Sequence, residues 1–255
     1  MQPFLIFDAY GTLAELDDFY GRLQRGFAMR GVNLPLDIVT RAAHREMRHY
    51  IKHAVCARDE ASWLQLRNEC AQIIGDAVRE QGHEVPLEPQ QVLDVLSEAI
   101  VFQTFAETRS VLQELQTRGV PMGVLSNWDY QLPQIFDDLG LSEYFHFVLS
   151  SATFGEEKPS PRFFAHGLQE ARRTVPQLTA RDCFYIGDHY EKDVVPSRAA
   201  GMTPLWLVRD SRDLASGETH SASEHVVHLS TLHDILRVLD EQTLDDLPDA
   251  ASSRA

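Results

Sequence analysis

Short runs of consecutive apolar residues alternate along this chain with longer segments whose apolar residues recur every three or four positions. The first run, FLIF at residues 4–7, is too short for a buried helix and lacks the in–out alternation of a strand with one wet face. Similar runs occur in VPMGVLSN, FHFVLSS, DCFYIGD, TPLWLV and HVVHL. Fully buried strands that alternate with helices predict a doubly wound, Rossmann-like α/β fold around a parallel sheet.

The alternation is interrupted after the first strand. Residues 15–103 show helical periodicity without a convincing strand, as in SWLQLRNECAQIIGDAV and QQVLDVLSEAIVF. We therefore expect an α/β core domain of residues 1–14 and 104–242, an inserted all-helical cap domain of residues 15–103, and a disordered tail of residues 243–255. Because ligands bind at the carboxyl ends of the strands in such sheets, an insertion at this point is placed to cover the binding crevice.

Charge and cysteine content narrow the class of protein. The 255 residues include 38 Asp and Glu against 23 Lys and Arg, a formal net charge of −15, which disfavours nucleic acid and anionic membranes as partners. The three cysteines are unpaired in pattern, which fits a reducing cytoplasm. We see no signal peptide or membrane-spanning run, and we expect a small-molecule substrate and either a monomer or a homodimer.

Polar residues follow four of the apolar runs, at the strand ends that converge in a doubly wound sheet. Singly, each of them has an ordinary explanation as a helix cap, a turn residue or a surface charge. The residues are Asp8 and Thr12 in DAYGT, Ser126 and Asn127 in LSN, Lys158 in KPSP, and Asp188 and Asp193 in GDHYEKD. Their occurrence together, in this order, is what makes them a candidate catalytic set.

The motifs D-A-Y-G-T, L-S-N, K-P-S-P and G-D-x-x-x-x-D resemble those of the haloacid dehalogenase-like hydrolase superfamily. The stretch from SNWDYQLPQIF to GEEKPSP looks particularly like the branch called haloacid dehalogenase-like hydrolase domain-containing proteins. The resemblance covers the α/β part of the chain, whereas the insertion matches the superfamily's cap only in position and helical character. It implies a hydrolase in which Asp8 is the nucleophile and forms a covalent aspartyl intermediate.

The resemblance also implies roles for the neighbouring residues. Ser126 and Asn127 would bind an oxygen of the transferred group, and Lys158 would neutralise charge on the nucleophile and the substrate. Thr12 belongs to the same catalytic set. Gly11 permits a tight turn whose amides can face a phosphate.

A metal ion is expected at the same place. Three carboxylates in one crevice, Asp8, Asp188 and Asp193, repel one another unless a cation lies between them. Mg²⁺ is a hard ion that prefers oxygen ligands and substrate phosphate. By resemblance, its ligands would be Asp8, Asp188 and the backbone carbonyl of Tyr10, with Asp193 behind them.

Tyr10 is the departure from the phosphatase pattern, because phosphatases of the superfamily usually carry a second aspartate there. A tyrosine with an ordinary pKa of about 10 is a weak base near neutral pH, so we expect a slow Mg²⁺-dependent phosphatase acting on a small phosphate ester. The motif D-A-Y-G-T also resembles that of 2-haloacid dehalogenases, in which the departing halide needs no proton. A metal-independent (S)-2-haloacid dehalogenase and a non-catalytic, phosphate-binding regulatory protein therefore remain alternatives.

Two further residues are candidates for substrate contact. Arg45 is one of three arginines in RAAHREMRHY, in the first part of the expected cap, and a cap arginine is suited to an anionic substrate. Trp128 follows Ser126 and Asn127 directly, so we expect it to line the crevice.

Overall fold

The computed structural model describes residues 2–209 and 226–245, and the sequence positions between and beyond these ranges are left aside. The strands, numbered in chain order, are β1 (Phe4–Phe7), β2 (Ala14–Leu16), β3 (Phe102–Thr104), β4 (Met122–Ser126), β5 (Val148–Ser150), β6 (Cys183–Gly187), β7 (Thr203–Leu207) and β8 (Val227–Leu229). Six of them form one parallel sheet in the order β5-β4-β1-β6-β7-β8. The predicted doubly wound α/β fold is confirmed.

The central strand β1 is buried on both faces, as its uninterrupted apolar run predicts. It pairs with β4 on one side and β6 on the other, with Ile6 opposite both Gly123 and Tyr185. Successive side chains of a strand point to opposite faces. Accordingly, Leu5 and Phe7 join one hydrophobic cluster, and Phe4 and Ile6 join another across the sheet.

Helices cover the sheet on both faces. The described helices outside the insertion are α5 (Thr108–Thr117), α6 (Leu132–Asp138), α7 (Ser151–Phe154), α8 (Pro161–Thr174), α9 (Val195–Ala199) and α10 (Asp234–Asp245). Apolar residues of α5, α6 and α10 pack against the face that carries Phe7, whereas α8 packs Phe163 and Phe164 against the face that carries Ile6. This two-layer covering leaves the carboxyl ends of the strands as the open edge of the sheet.

Residues 19–99 form a helical insertion with a hydrophobic cluster of its own. Its helices are α1 (Phe19–Met29), α2 (Leu36–His53), α3 (Glu60–Glu80) and α4 (Pro89–Ala99). Their amphipathic faces meet around residues such as Leu23, Phe27, Ile74 and Leu96, all fully buried. The predicted helical character of this segment is confirmed.

Two short strands at the ends of the insertion were not expected from the sequence. Strands β2 and β3 pair antiparallel, with Glu15 opposite Gln103, where the chain leaves and re-enters the α/β part. With three residues each, they are too short to show a periodic pattern. This pair joins the insertion to the rest of the chain through a hydrogen-bonded two-stranded connection.

Smaller differences follow from the same limit on short elements. Helix α7 and a π-helical turn at Tyr190–Val194 were not predicted, because four or five residues show no period. Helix α10 ends at Asp245, three residues beyond the expected core boundary at residue 242. Most of the expected tail, residues 246–255, lies outside the described residues. Among the described helices, none combines the length and the apolar character needed to cross a bilayer.

Gly123 provides a test of the packing between β4 and Phe147, the residue that precedes β5. A Cβ at this position would overlap the ring of Phe147, which is itself stacked on Phe4 at 5.8 Å between ring centroids. We expect Gly123→Ala to lower the free energy of unfolding by about 1–3 kcal/mol through overpacking.

The matched control is Gly75→Ala in α3, where a Cβ would meet only the end of the Arg79 side chain, at 3.4 Å. The better helix propensity of alanine should raise stability there by about 0.5–1 kcal/mol. Urea denaturation of both variants is the measurement. Equal effects of the two substitutions would contradict the packing account.

Candidate active site

Asp8 stands at the carboxyl end of the central strand, where the sheet opens. Its amide continues the ladder by donating to the carbonyl of Ile186 at 2.8 Å, and its side chain is 11% exposed. Ser126 donates its hydroxyl to Asp8 Oδ1 at 2.6 Å, and Lys158 Nζ lies 2.8 Å from the same oxygen. Among the described residues, none donates a hydrogen bond to Oδ2. One carboxylate oxygen is therefore fixed and the other is available to react.

Lys158 is a buried ammonium group held by several partners. Its Nζ contacts Asp193 Oδ1 at 2.6 Å and donates to the Tyr185 hydroxyl at 2.9 Å, in addition to contacting Asp8. Burial alone would lower the pKa of Lys158, but the charges of Asp193 and Asp8 outweigh it and raise this pKa well above its ordinary value. The residue is therefore a permanent positive charge beside the Asp8 carboxylate.

Asn127 fixes the backbone of Lys158 from both sides. Its amide nitrogen Nδ2 donates to the carbonyl of Lys158 at 2.9 Å, and its Oδ1 accepts from the amide of Lys158 at 2.7 Å. Both polar ends of the side chain are used in this way. Asn127 thus positions Lys158 in the structure, whereas the sequence suggested that Asn127 contacts the transferred group.

The carboxylates of Asp8, Asp188 and Asp193 come together, with ligand atoms within 4.8 Å of one another. Burial and the charges of Asp8 and Asp193 raise the pKa of Asp188 to about 7, although Lys158 opposes the shift. Asp193 is fully buried and has both oxygens engaged, by Lys158 and by the amide of His189 at 2.9 Å. Three acidic groups thus face one cation, an arrangement that favours a further positive charge.

Gly11 makes the approach of Asp188 possible. It has φ of +76°, and a Cβ there would overlap the Asp188 carboxylate. Its own amide donates to the carbonyl of Ala14 at 2.9 Å, so this N–H closes the turn and is not free for a phosphate. The hydroxyl of Thr12 is buried and has no hydrogen-bond partner among the described residues.

Arg209 holds the same loop and was missed from the sequence. Its Nε donates to the carbonyl of Gly11 at 3.1 Å and its Nη2 to the carbonyl of Thr12 at 2.6 Å. The guanidinium pairs with Glu107 and lies 3.6 Å from the centre of the Phe105 ring. Arg209 comes directly after the apolar run of β7, and strand ends converge at this edge of the sheet. This position in the sequence was the one signal that could have marked Arg209 as a site residue.

A cavity of about 680 Å³ opens between these strand ends and the helical insertion. Asp8, Ser126 and Lys158 lie at one end of it, and Trp128 lines its wall, as the sequence suggested. The ring of Tyr10, 42% exposed, lies 6.4 Å from that of Trp128 between centroids. The reacting carboxylate therefore faces a space that both parts of the chain enclose.

The structure does not bring Arg45 to this cavity. Its Nη1 pairs with Glu80 Oε2 at 2.5 Å on the outer surface of the insertion, with 46% of the side chain exposed. The buried stripe of α2 is Ile38, Val39, Ala42, Ala43 and Glu46, and Arg45 lies off this stripe. The arginine of the insertion that lines the cavity is Arg67 on α3. An acidic residue, Glu46, within an otherwise apolar stripe was the overlooked signal.

Comparisons with known proteins agree with this geometry. The sequence pattern of the haloacid dehalogenase-like hydrolase family matches residues 4–201. The chain belongs to the haloacid dehalogenase-like hydrolases. It is 35% identical over 151 residues to haloacid dehalogenase-like hydrolase domain-containing protein 3 of Mus musculus, covering 59% of this chain and 57% of that protein.

Two further proteins are similar to this chain, one in sequence and one in fold. A glyceraldehyde 3-phosphate phosphatase of Methanocaldococcus jannaschii is 26% identical over 147 residues, 54% of this chain and 59% of that protein. The L-2-haloacid dehalogenase of Xanthobacter autotrophicus shares the fold, with a TM-score of 0.65 at 17% identity over 94% of this chain and 99% of that one. The matched part spans less than two-thirds of the mouse protein and of the glyceraldehyde 3-phosphate phosphatase.

The contacts of Arg209 predict a measurable effect on the loop of residues 9–14. In Arg209→Met, we expect amide hydrogen exchange at Leu13 and Ala14 to be about tenfold faster or more, because charge-assisted hydrogen bonds to two carbonyls are lost. Both amides donate to the carbonyl of Ala9 and report on the closed loop.

The control is Arg237→Met, which removes an exposed arginine paired with Glu241 within α10. Unchanged exchange of the loop in Arg209→Met, or equal acceleration in both variants, would show that Arg209 does not position the loop.

Proposed function

We propose that the protein is a Mg²⁺-dependent phosphatase that hydrolyses a small phosphate ester through Asp8. The observation that carries the proposal is the cluster of Asp8, Asp188 and Asp193, with ligand atoms within 4.8 Å, beside the buried Lys158. Phosphatases among its relatives support this assignment, the glyceraldehyde 3-phosphate phosphatase being one.

The residues fit Mg²⁺. Asp8 and Asp188 would hold the ion together with the backbone carbonyl of Tyr10, and Asp193, whose oxygens contact Lys158 and the amide of His189, would support them from outside this set. The overlap that a Cβ at Gly11 would make with Asp188 shows how closely this carboxylate is set against the loop. When bound, the ion neutralises charge on the carboxylates and on the phosphoryl oxygens.

The reaction follows from the partners of Asp8. Its free oxygen Oδ2 attacks phosphorus, the bond from phosphorus to the ester oxygen breaks, and the departing oxygen takes a proton from solvent water to leave as the alcohol. Water then attacks the aspartyl phosphate, which releases inorganic phosphate and restores the carboxylate. Ser126 fixes Oδ1 throughout, and Lys158 balances the charge that gathers around the phosphoryl group.

Tyr10 determines which esters react well. Burial and the charges of Tyr20, Glu15 and Asp188 raise the pKa of its phenol above the ordinary value, so that it stays protonated near neutral pH. With its raised pKa the phenol is a weak acid for protonating a leaving group, and in its protonated form it is a poor base for activating water. Esters whose leaving group needs little protonation should therefore react fastest.

Metal dependence and leaving-group preference can be measured together. We expect phosphate release from para-nitrophenyl phosphate with Mg²⁺ and loss of this activity in EDTA. Glycerol phosphate should be hydrolysed at no more than about one-hundredth of the rate of the aryl ester. Asp8→Asn should abolish both activities. Alkyl and aryl esters hydrolysed at equal rates would contradict the account of Tyr10, and no phosphate release with either ester would reject the phosphatase.

Tyr10→Asp supplies the acid and base that the wild type lacks. We expect turnover of glycerol phosphate to rise by about ten- to a hundredfold, and to rise more than turnover of the aryl ester, which gains only from faster hydrolysis of the shared aspartyl phosphate. Tyr10→Phe is the matched control and should leave the alkyl rate unchanged, since the tyrosine contributes little there. An unchanged or lower alkyl rate in folded Tyr10→Asp, as judged by circular dichroism, would reject the role given to this position.

Tyr10 also favours a second candidate, a metal-independent 2-haloacid dehalogenase, because a halide leaves without a proton. The carboxylate cluster speaks against it, since three acidic groups beside one lysine call for a cation. Halide release from a 2-haloacid that persists in EDTA would establish this alternative. Tight binding of phosphate and Mg²⁺ without turnover of any ester or haloacid would instead indicate a non-catalytic binding protein.

A further inference from the structure

The active-site cavity is far larger than a phosphoryl group needs. Its volume of about 680 Å³ lies within the range of roughly 300–1,000 Å³ that is typical of sites for drug-sized ligands. Besides Asp8 and Lys158, the cavity is lined by apolar residues, and we call this part of it the apolar chamber, defined by Leu16, Phe19, Met47, Trp63, Ile100 and Phe102. The part of a substrate that leaves with the ester oxygen would occupy this chamber.

Among the charged residues that line the cavity, one buried pair of opposite charge lies on the insertion. Glu46 on α2 and Arg67 on α3 both line the cavity and are only 3% and 6% exposed. Their nearest atoms, Glu46 Oε1 and Arg67 Nη1, are 3.9 Å apart, which is longer than a hydrogen bond. The Arg67 guanidinium donates no hydrogen bond to any residue within the described ranges. Its five N–H donors are therefore available to an acceptor inside the cavity.

The charge of Arg67 is already balanced. It faces Glu46, and it also acts on the buried Asp129, whose oxygens accept from the Tyr50 hydroxyl at 2.9 Å and from the amide of Gln131 at 2.8 Å. Two carboxyl groups thus surround one guanidinium. A second anion bound beside Arg67 would add negative charge to a buried part of the wall where Glu46 and Asp129 already act on the guanidinium.

We propose, building on the phosphatase function above, that the substrate is the phosphate ester of an uncharged, largely apolar alcohol or phenol. A carbonyl, amide or hydroxyl group on its body binds Arg67 as a hydrogen-bond acceptor and, where it has an N–H or O–H, Glu46 as a donor. Phosphorylated carboxylic acids and bisphosphates are disfavoured. Arg67 and Glu46 are the residues that determine this specificity.

The test uses three naphthylmethylphosphonates, which resemble aryl phosphates but are not hydrolysed. They carry no substituent, a carboxamide or a carboxylate on the distal ring. Titration calorimetry on the full chain with Mg²⁺ should show the carboxamide binding at least about tenfold more tightly than the carboxylate, and more tightly than the unsubstituted compound. A carboxylate that binds equally well or better would overturn the proposal, and this comparison needs no variant.

A double variant tests the two residues directly. Arg67→Met with Glu46→Gln removes both charges together, so that neither is left buried without its partner. We expect the double variant to bind the carboxamide no more tightly than the other two phosphonates. Its affinity for the unsubstituted phosphonate should stay unchanged. The matched control is Arg45→Met, which removes the arginine paired with Glu80 on the outer surface. A double variant that retains the preference, or an Arg45→Met variant that loses it, would overturn the assignment.

The outcomes separate this proposal from the phosphatase function. Ester turnover together with tighter binding of the carboxylate would leave the phosphatase intact and reject the substrate class. The predicted binding order in a protein that hydrolyses no ester would reject the phosphatase and support the specificity assigned to Arg67 and Glu46. Ester turnover without binding of any of the phosphonates would also reject the substrate class.

Discussion

The contact on which the rest of the site depends is the one between Lys158 and the carboxylates at the end of the central strand. Lys158 Nζ lies 2.8 Å from Asp8 and 2.6 Å from Asp193, and all three groups are buried. A buried charge is tolerated only with partners, so each of these groups requires the others. The sheet supplies that arrangement because Asp8 follows β1 and Asp193 follows the neighbouring strand β6, whereas Lys158 lies between α7 and α8, after the edge strand β5.

The loops around Lys158 and Asp8 are held by further hydrogen bonds. Asn127 holds the backbone of Lys158 through two hydrogen bonds, and Arg209 holds the loop after Asp8 through two carbonyls. These residues bond to backbone groups and leave the carboxylate oxygens of Asp8 unoccupied by their side chains. Functional groups held by such supporting contacts keep their geometry without reorganisation during the reaction, which is where an enzyme gains most of its electrostatic stabilisation.

The sequence predicted what depends on local pattern. The buried strands were recognisable because their apolar runs are uninterrupted, and Asp8, Ser126, Lys158, Asp188 and Asp193 were recognisable because each follows or lies near such a run. Arg209 and Arg67 were not, since their importance arises only when the fold brings Gly11 or Glu46 beside them. Arg45 was chosen for its place in the sequence, but helical periodicity turns it away from the cavity.

Two features that are independent in the structure select the same kind of leaving group. Tyr10 stays protonated and is a poor base, which on the proposed function favours esters whose leaving group is itself acidic, as phenols are. The apolar chamber favours a large, uncharged body, and a phenol meets that condition as well. A small hydrophilic alcohol would satisfy neither the chemistry at Tyr10 nor the surface it faces. The replacement of the usual acid and the shape of the cavity are thus consistent with one substrate class, and a slow phosphatase on many esters need not be slow on that one.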